Sequence, residues 1–200
     1  MVKQEHLIAK DIRQFFQRIL ILKKHGSYKY AEYSDSWLHQ IGLSKNYARE
    51  SAASKTTKEL QKILKDKYAD RVKVEAQVGE GMSLRFQTDM AVSDQEIDFK
   101  KFQAFDILDL ETNTAFEISL SDAFAEFFKD VLKSILDSRV KTLYFCARNH
   151  KYSWKGSKKS GFIKVKSSNM IQQYIALARL YKLEIILFDL FPKCNKWRVY

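Results

Sequence analysis

The chain has 200 residues, 46% of them hydrophobic, with six glycines and one proline, a composition that excludes disordered, collagen-like and linker-rich proteins. Its 35 Lys+Arg against 24 Asp+Glu give a formal charge of +11, and the excess is local: residues 138–183 contain 11 basic side chains and no acidic one, so the remainder is balanced. Such a concentrated positive segment implies a polyanionic partner, nucleic acid before a membrane surface, because clustered Lys and Arg gain affinity for phosphates through counterion release.

Two cysteines, Cys146 and Cys194, are too few for a disulfide framework or a thiolate metal site, which fits a reducing compartment. No stretch approaches the length of a membrane span, and residues 1–10 lack the apolar core of a signal peptide. The expectation is a cytoplasmic protein of one globular domain, or of one domain with a helical appendage.

Apolar residues at helical spacing predict a helix over 7–22 (Leu7, Ile8, Ile12, Phe15, Phe16, Ile19, Leu20, Leu22) and another over 57–68 (Leu60, Ile63, Leu64). Between them, residues 36–50 read as a short helix, a glycine turn at Gly42, a Ser44 cap and a second helix. That order is either a plain corner of a bundle or a helix-turn-helix offering Lys45, Asn46 and Arg49 to a DNA groove. Residues 1–75 are thus expected to form an N-terminal helical region.

After Gly79 the period changes. Residues 82–92 alternate like a strand, and 104–110 and 114–120 are two apolar runs around Glu111-Thr112-Asn113, the pattern of a hairpin. Asp122 caps an amphipathic helix with the stripe Ala123, Phe124, Phe127, Phe128, Val131, Leu132, Ile135 and Leu136. A short strand over 142–147, a helix over 170–181 and a strand over 184–190 follow. The reading is an α/β core over 76–200, a mixed central sheet flanked by helices.

Asp106 and Glu117 stand inside otherwise apolar strand sequence, where an uncompensated charge costs several kcal/mol to bury. Asp106 begins one strand and Glu117 lies near the end of its hairpin partner, so the two can share one face and form a hard-oxygen site suited to Mg²⁺ or Mn²⁺. Asp109 falls on the opposite face from Asp106 and is not expected to be a ligand. Asp89 and Glu59 are read as solvated, with a further acidic ligand as the alternative; His6, His25, His39 and His150 show no ligand spacing and are expected at the surface.

A strand with Asp, a hairpin, a strand with Glu, an amphipathic helix and a further strand resembles the αβββαβ core of the PD-(D/E)XK nuclease superfamily, similar to type II restriction endonucleases. The resemblance covers roughly residues 84–145. Asp106 matches the first acidic position, preceded by Phe105 where the family has proline, and Glu117 matches the second. Ser119 occupies the position usually held by lysine, and Lys129 and Lys133 on the following helix are candidates to replace it, as in viral cap-snatching endonucleases, which this hairpin also resembles. The resemblance implies Mg²⁺ or Mn²⁺ held by Asp106, Glu117 and the Ile118 carbonyl, with Ser119, Lys129 or Lys133 placing the attacking water.

It also implies double-stranded DNA as the partner, RNA as an alternative, and a homodimer that cuts both strands. The loop with Arg148, Lys151, Trp154, Lys155, Lys158 and Lys159 interleaves aromatics with lysines. On such an enzyme it would hold phosphates and stack on bases beside the acidic hairpin. A non-catalytic DNA-binding protein with a decayed nuclease site is the alternative from another class, because Ser119 replaces the lysine.

Overall fold

The computed structural model describes residues 5–25, 28–44, 49–79, 104–120, 123–147, 153–154, 169–190 and 197–199. Helix α1 (Leu7–Ile19) starts where His6 Nδ1 accepts the Ile8 N–H at 3.2 Å, and it buries Ile8, Ile12, Phe15, Phe16 and Ile19. The sequence pattern continues the helix to Leu22. Instead Leu20 is extended (φ −99°, ψ 134°) and opens strand β1 (Leu20–His25), antiparallel to β2 (Tyr28–Tyr33). A short apolar run satisfies either period, and here the cross-strand partner decides. The expected helical region therefore contains strands as well as helices.

Ser34 caps the short α2 (Asp35–Gln40) by accepting the Trp37 N–H. The chain then turns at Gly42, whose φ of +67° suits glycine, and resumes in α3 (Arg49–Tyr68). Trp37 donates its indole N–H to Thr56 at 3.1 Å and locks the two helices together. This is the helix, turn and helix order expected over 36–50; Arg49 is the first residue of α3, while Lys45 and Asn46 lie outside the described residues.

The main sheet has the order β3-β4-β5-β6-β8-β9, from β3 (Val72–Gln77), β4 (Ala104–Asp109), β5 (Thr114–Ser119), β6 (Thr142–Ala147), β8 (Glu184–Asp189) and β9 (Trp197–Val199). Strands β5, β6 and β8 are parallel, and the other pairs are antiparallel. Helices α4 (Ala123–Leu136) and α5 (Asn169–Leu180) make the two parallel crossovers. The short β7 (Ser153–Trp154) joins β1 and β2 in a separate three-stranded sheet, parallel to β2.

Phe127, Val131 and Ile135 of α4 and Ile175 and Ala178 of α5 cover one face of the main sheet over Phe105, Ala115, Leu143 and Phe145. The other face, with Ile107, Phe116, Tyr144 and Phe188, is covered by α1, α2, α3 and the small sheet. The fold is thus α/β with a mixed sheet between helices. Strand β3 precedes the segment 82–92 where the alternation predicts the first strand, and that segment lies outside the described residues. Among the described residues no helix is long and apolar enough to cross a membrane.

The hairpin tip carries a buried charge. Asp109 is 0% exposed and accepts Arg71 Nε at 3.0 Å and Nη2 at 2.8 Å, Thr112 Oγ1 at 2.7 Å and the Glu111 N–H at 3.1 Å. Burial pushes its carboxyl up, but the Arg71 and Thr112 hydrogen bonds outweigh burial and hold it below the usual range. His6 Nε2 is 3.1 Å from the same carboxylate, and its ring packs edge-on against Phe116 and Tyr144. His6 is therefore no surface histidine: it ties the start of α1 to the hairpin, and burial lowers its pKa.

Arg71→Ala leaves the Asp109 carboxylate buried without its bidentate partner, and a loss of about 3 kcal/mol in urea unfolding is expected. A loss within about 0.5 kcal/mol, the range of ordinary surface substitutions, would contradict this role.

Candidate active site

From Asp109↔Thr114 through Ile107↔Phe116 the β4–β5 ladder is regular, and one further step brings Asp106 beside Glu117. There the ladder stops. The Ile118 N–H donates to Asp106 Oδ2 at 2.8 Å, and the Asp106 carbonyl accepts Gln61 Nε2 of α3 at 2.9 Å. On its other side β4 pairs at Ile107↔Val74 and Phe105↔Ala76, skipping Glu75, whose φ is +48°. Both strands change face at this level: Val72 and Ile107 pack on the α1 side, whereas Ala76 and Phe105 pack on the α4 side. The register is the same on both sides of the unpaired Glu75, so the side chains are re-aimed with no residue inserted.

Helix α4 closes the fork. Glu126, Lys129, Asp130 and Lys133 recur at helical spacing on one stripe. With Ala104, Asp106, Glu117 and Ile118 they line a cavity of about 300 Å³. Four acids face two lysines there, a formal excess of two negative charges.

Lys133, 6% exposed, has its Nζ 2.7 Å from Glu117 Oε1 and 3.0 Å from Asp130 Oδ1, donates to the Ala104 carbonyl at 3.0 Å, and sits 5.4 Å from the Phe105 ring centre. Burial favours the neutral amine, but the charges of Glu117 and Asp130 outweigh burial and hold the ammonium above its ordinary pKa. Burial, then Asp130 and Asp106, push the Glu117 carboxyl well above the carboxylate range, with Lys133 opposing. Burial also raises Asp106, against the Ile118 N–H and Lys133, and pushes Asp130 up to about 6. The Lys133 ammonium is thus the close partner of the buried Glu117 Oε1.

The structure thus brings together Asp106, Glu117, Ile118, Lys129 and Lys133 of the residues expected from sequence. Lys129 is exposed, one turn before Lys133. Ser119 is buried, donates its hydroxyl to Glu126 Oε2 at 2.5 Å and does not line the cavity. Glu59 is half-buried on α3 and does not line it either. Asp130 and Glu126 were not expected there; the signal for them was their helical spacing with Lys133.

Arg148, Lys151, Lys155, Lys158, Lys159 and Asp89 lie outside the described residues, and the backbone of Trp154 pairs with Ala31 in the small sheet. The described basic residues of segment 138–183 do not line the cavity. Arg139 is engaged by Asp137 at 2.6 Å, and Lys141, Arg179 and Lys182 sit near the start of β6 and β8, the end of the sheet opposite Glu117. Ala147, however, pairs with Ser119, so the chain enters residues 148–152 from the cavity end.

Comparison of the chain with protein-family models, with curated proteins and with solved structures gives no match.

A carboxyl whose pKa is raised on folding contributes stability below its ordinary value of 4.5 that is lost as pH rises through the folded value. Glu117→Gln removes that loss while Asp130 keeps Lys133 paired. At pH 7.5 the variant is expected to melt above the wild type by about 2–4 °C, the equivalent of about 1 kcal/mol. The gap should narrow by pH 5. A variant that melts lower at pH 7.5 would contradict this electrostatic assignment.

Proposed function

We propose that this protein is a divalent-cation-dependent endonuclease that hydrolyses phosphodiester bonds of nucleic acid, with double-stranded DNA as the first substrate and Mg²⁺ or Mn²⁺ as the cofactor. The observation that carries the reading is the convergence of Asp106 and Glu117 on one cavity at a forked sheet end, with the Lys133 ammonium 2.7 Å from Glu117. Hard oxygen donors and a formal excess of two negative charges suit a divalent cation. Among the described residues no three acidic, histidine or cysteine side chains are grouped to hold a metal; by the resemblance, the ligands from the chain would be Asp106, Glu117 and the Ile118 carbonyl. Water and substrate oxygens would complete the shell.

A cation held there supplies charge neutralisation at the phosphate and lowers the pKa of a bound water. Lys133, kept as ammonium, places a positive charge beside the reacting phosphate, where charge builds up during in-line attack. Lys129, exposed at the cavity, is placed to take a flanking phosphate oxygen. The basic stretch from Arg148 to Lys159 supplies further phosphate contacts, and a homodimer would cut both strands.

A second reading, cleavage of RNA, is favoured by one feature. The lysine beside Glu117 is carried by the helix after the hairpin, as in the cap-snatching endonucleases that the hairpin resembles.

Plasmid DNA and single-stranded RNA incubated with Mg²⁺ or Mn²⁺ test both. Cleavage is expected to vanish in Asp106→Asn and Glu117→Gln while nucleic-acid binding survives. Lys133→Ala should lower the single-turnover rate about 100-fold. Undiminished cutting by Asp106→Asn would overturn the site, and salt-sensitive binding without cleavage in either metal would point to a non-catalytic binding protein.

A further inference from the structure

Lys133 has two carboxylate partners where one would balance its charge. Glu117 reaches it from β5, and Asp130, 4% exposed, reaches it from one turn earlier on the same helix. These partners are not equivalent. Glu117 also faces Asp106 across the fork, whereas Asp130 is fixed to Lys133 by the i,i+3 spacing of α4 and travels with it. The Ala104 carbonyl supplies the remaining contact from β4.

We propose that Asp130 is a positioning residue, the counter-ion that keeps the Lys133 ammonium in the cavity once the charge of Glu117 is taken up by a cation. The catalytic part of this role rests on the nuclease reading above. A cation on Glu117 repels the ammonium beside it and removes its nearest partner. With Glu117 as its sole counter-ion, a lysine this buried would be released just when the site is loaded. Asp130 and the Ala104 carbonyl hold it against that repulsion, leaving it directed at the space between Asp106 and Glu117. The arrangement accounts for a buried acid that no ligand set requires and that lies within reach of the helix lysine.

The test follows the Lys133 ammonium directly, by ¹⁵N NMR of lysine-labelled protein, where a buried ion-paired ammonium gives a signal that Lys133→Ala identifies by its loss. Glu117→Gln removes the partner's charge without any metal. The Lys133 signal is expected to persist in Glu117→Gln, to persist in metal-free Asp130→Asn, and to disappear from Asp130→Asn when Mg²⁺ is added. Its disappearance from Glu117→Gln, or its persistence in Asp130→Asn with Mg²⁺, would overturn the proposal.

Mn²⁺ binding by calorimetry gives the second readout. Asp130→Asn should change the affinity less than about threefold, whereas a loss of tenfold or more makes Asp130 a ligand and overturns the positioning role. In cleavage, Asp130→Asn should lower the single-turnover rate about 10- to 100-fold, and should cost nothing further in a Lys133→Ala background. Absence of cleavage by the wild type would remove the nuclease reading, while the NMR comparison of Glu117→Gln would still decide whether Asp130 holds Lys133.

Discussion

Asp106, Glu117 and Asp130 can share one cavity only because a cation is folded in among them, and Lys133, 2.7 Å from Glu117 and 3.0 Å from Asp130, is that cation. An opposite pair at such a separation gains about 6 kcal/mol at an effective dielectric of ~20. The desolvation cost is several kcal/mol for each buried ion. One lysine therefore offsets about one carboxylate, and the others remain ready to take up a proton or a further cation. The raised carboxyls of Glu117 and Asp106, and Asp130 at about 6, are the expression of that shortfall.

The rest of the fold holds this arrangement in register. At the tip of the hairpin, Arg71, Thr112 and His6 converge on Asp109 and fix the pairing of β4 with β5. A slip of one residue would turn Glu117 to the α1 face and away from Lys133. At the other end the pairing is released: Asp106 spends its carboxylate on the Ile118 N–H, Gln61 takes its carbonyl, and β3 skips Glu75. The sheet continues on both sides of the fork, with β4 held by β3 and β5 by β6, so the opening is supported by rigid elements.

Much of the fold around the cavity was legible in the sequence because it is local. The hairpin around Glu111–Asn113 showed in two apolar runs, α4 in a strong apolar stripe, and β6 and β8 in short continuous apolar segments. Asp106 and Glu117 stood out as charges in apolar strands. What was missed depends on distant partners. Leu20–Leu22 extends the apolar pattern of α1 and becomes a strand only because Ala31–Tyr33 lies opposite, and the three-residue β9 is too short to show a period. His6 looked like a surface histidine because nothing near it announces Asp109, more than a hundred residues away. Asp130 went unnoticed, although its spacing with Glu126 and Lys133 places all three on the stripe that meets the hairpin.

The charge distribution looks different once it is placed on the fold. The positive excess of the sequence lies in residues 138–183, yet among the described residues the cations at the acidic cavity come from α4, ahead of that segment. The central claim is that Asp106 and Glu117 form a divalent-cation site from which Lys133 is not displaced. A crystal soaked in Mn²⁺ and measured at the manganese edge tests it most directly. The account predicts one anomalous peak within ligand distance of both carboxylates, about 2.0–2.4 Å, with Lys133 still paired to Asp130. No peak at the fork, or a peak that takes the place of the Lys133 ammonium, would contradict it.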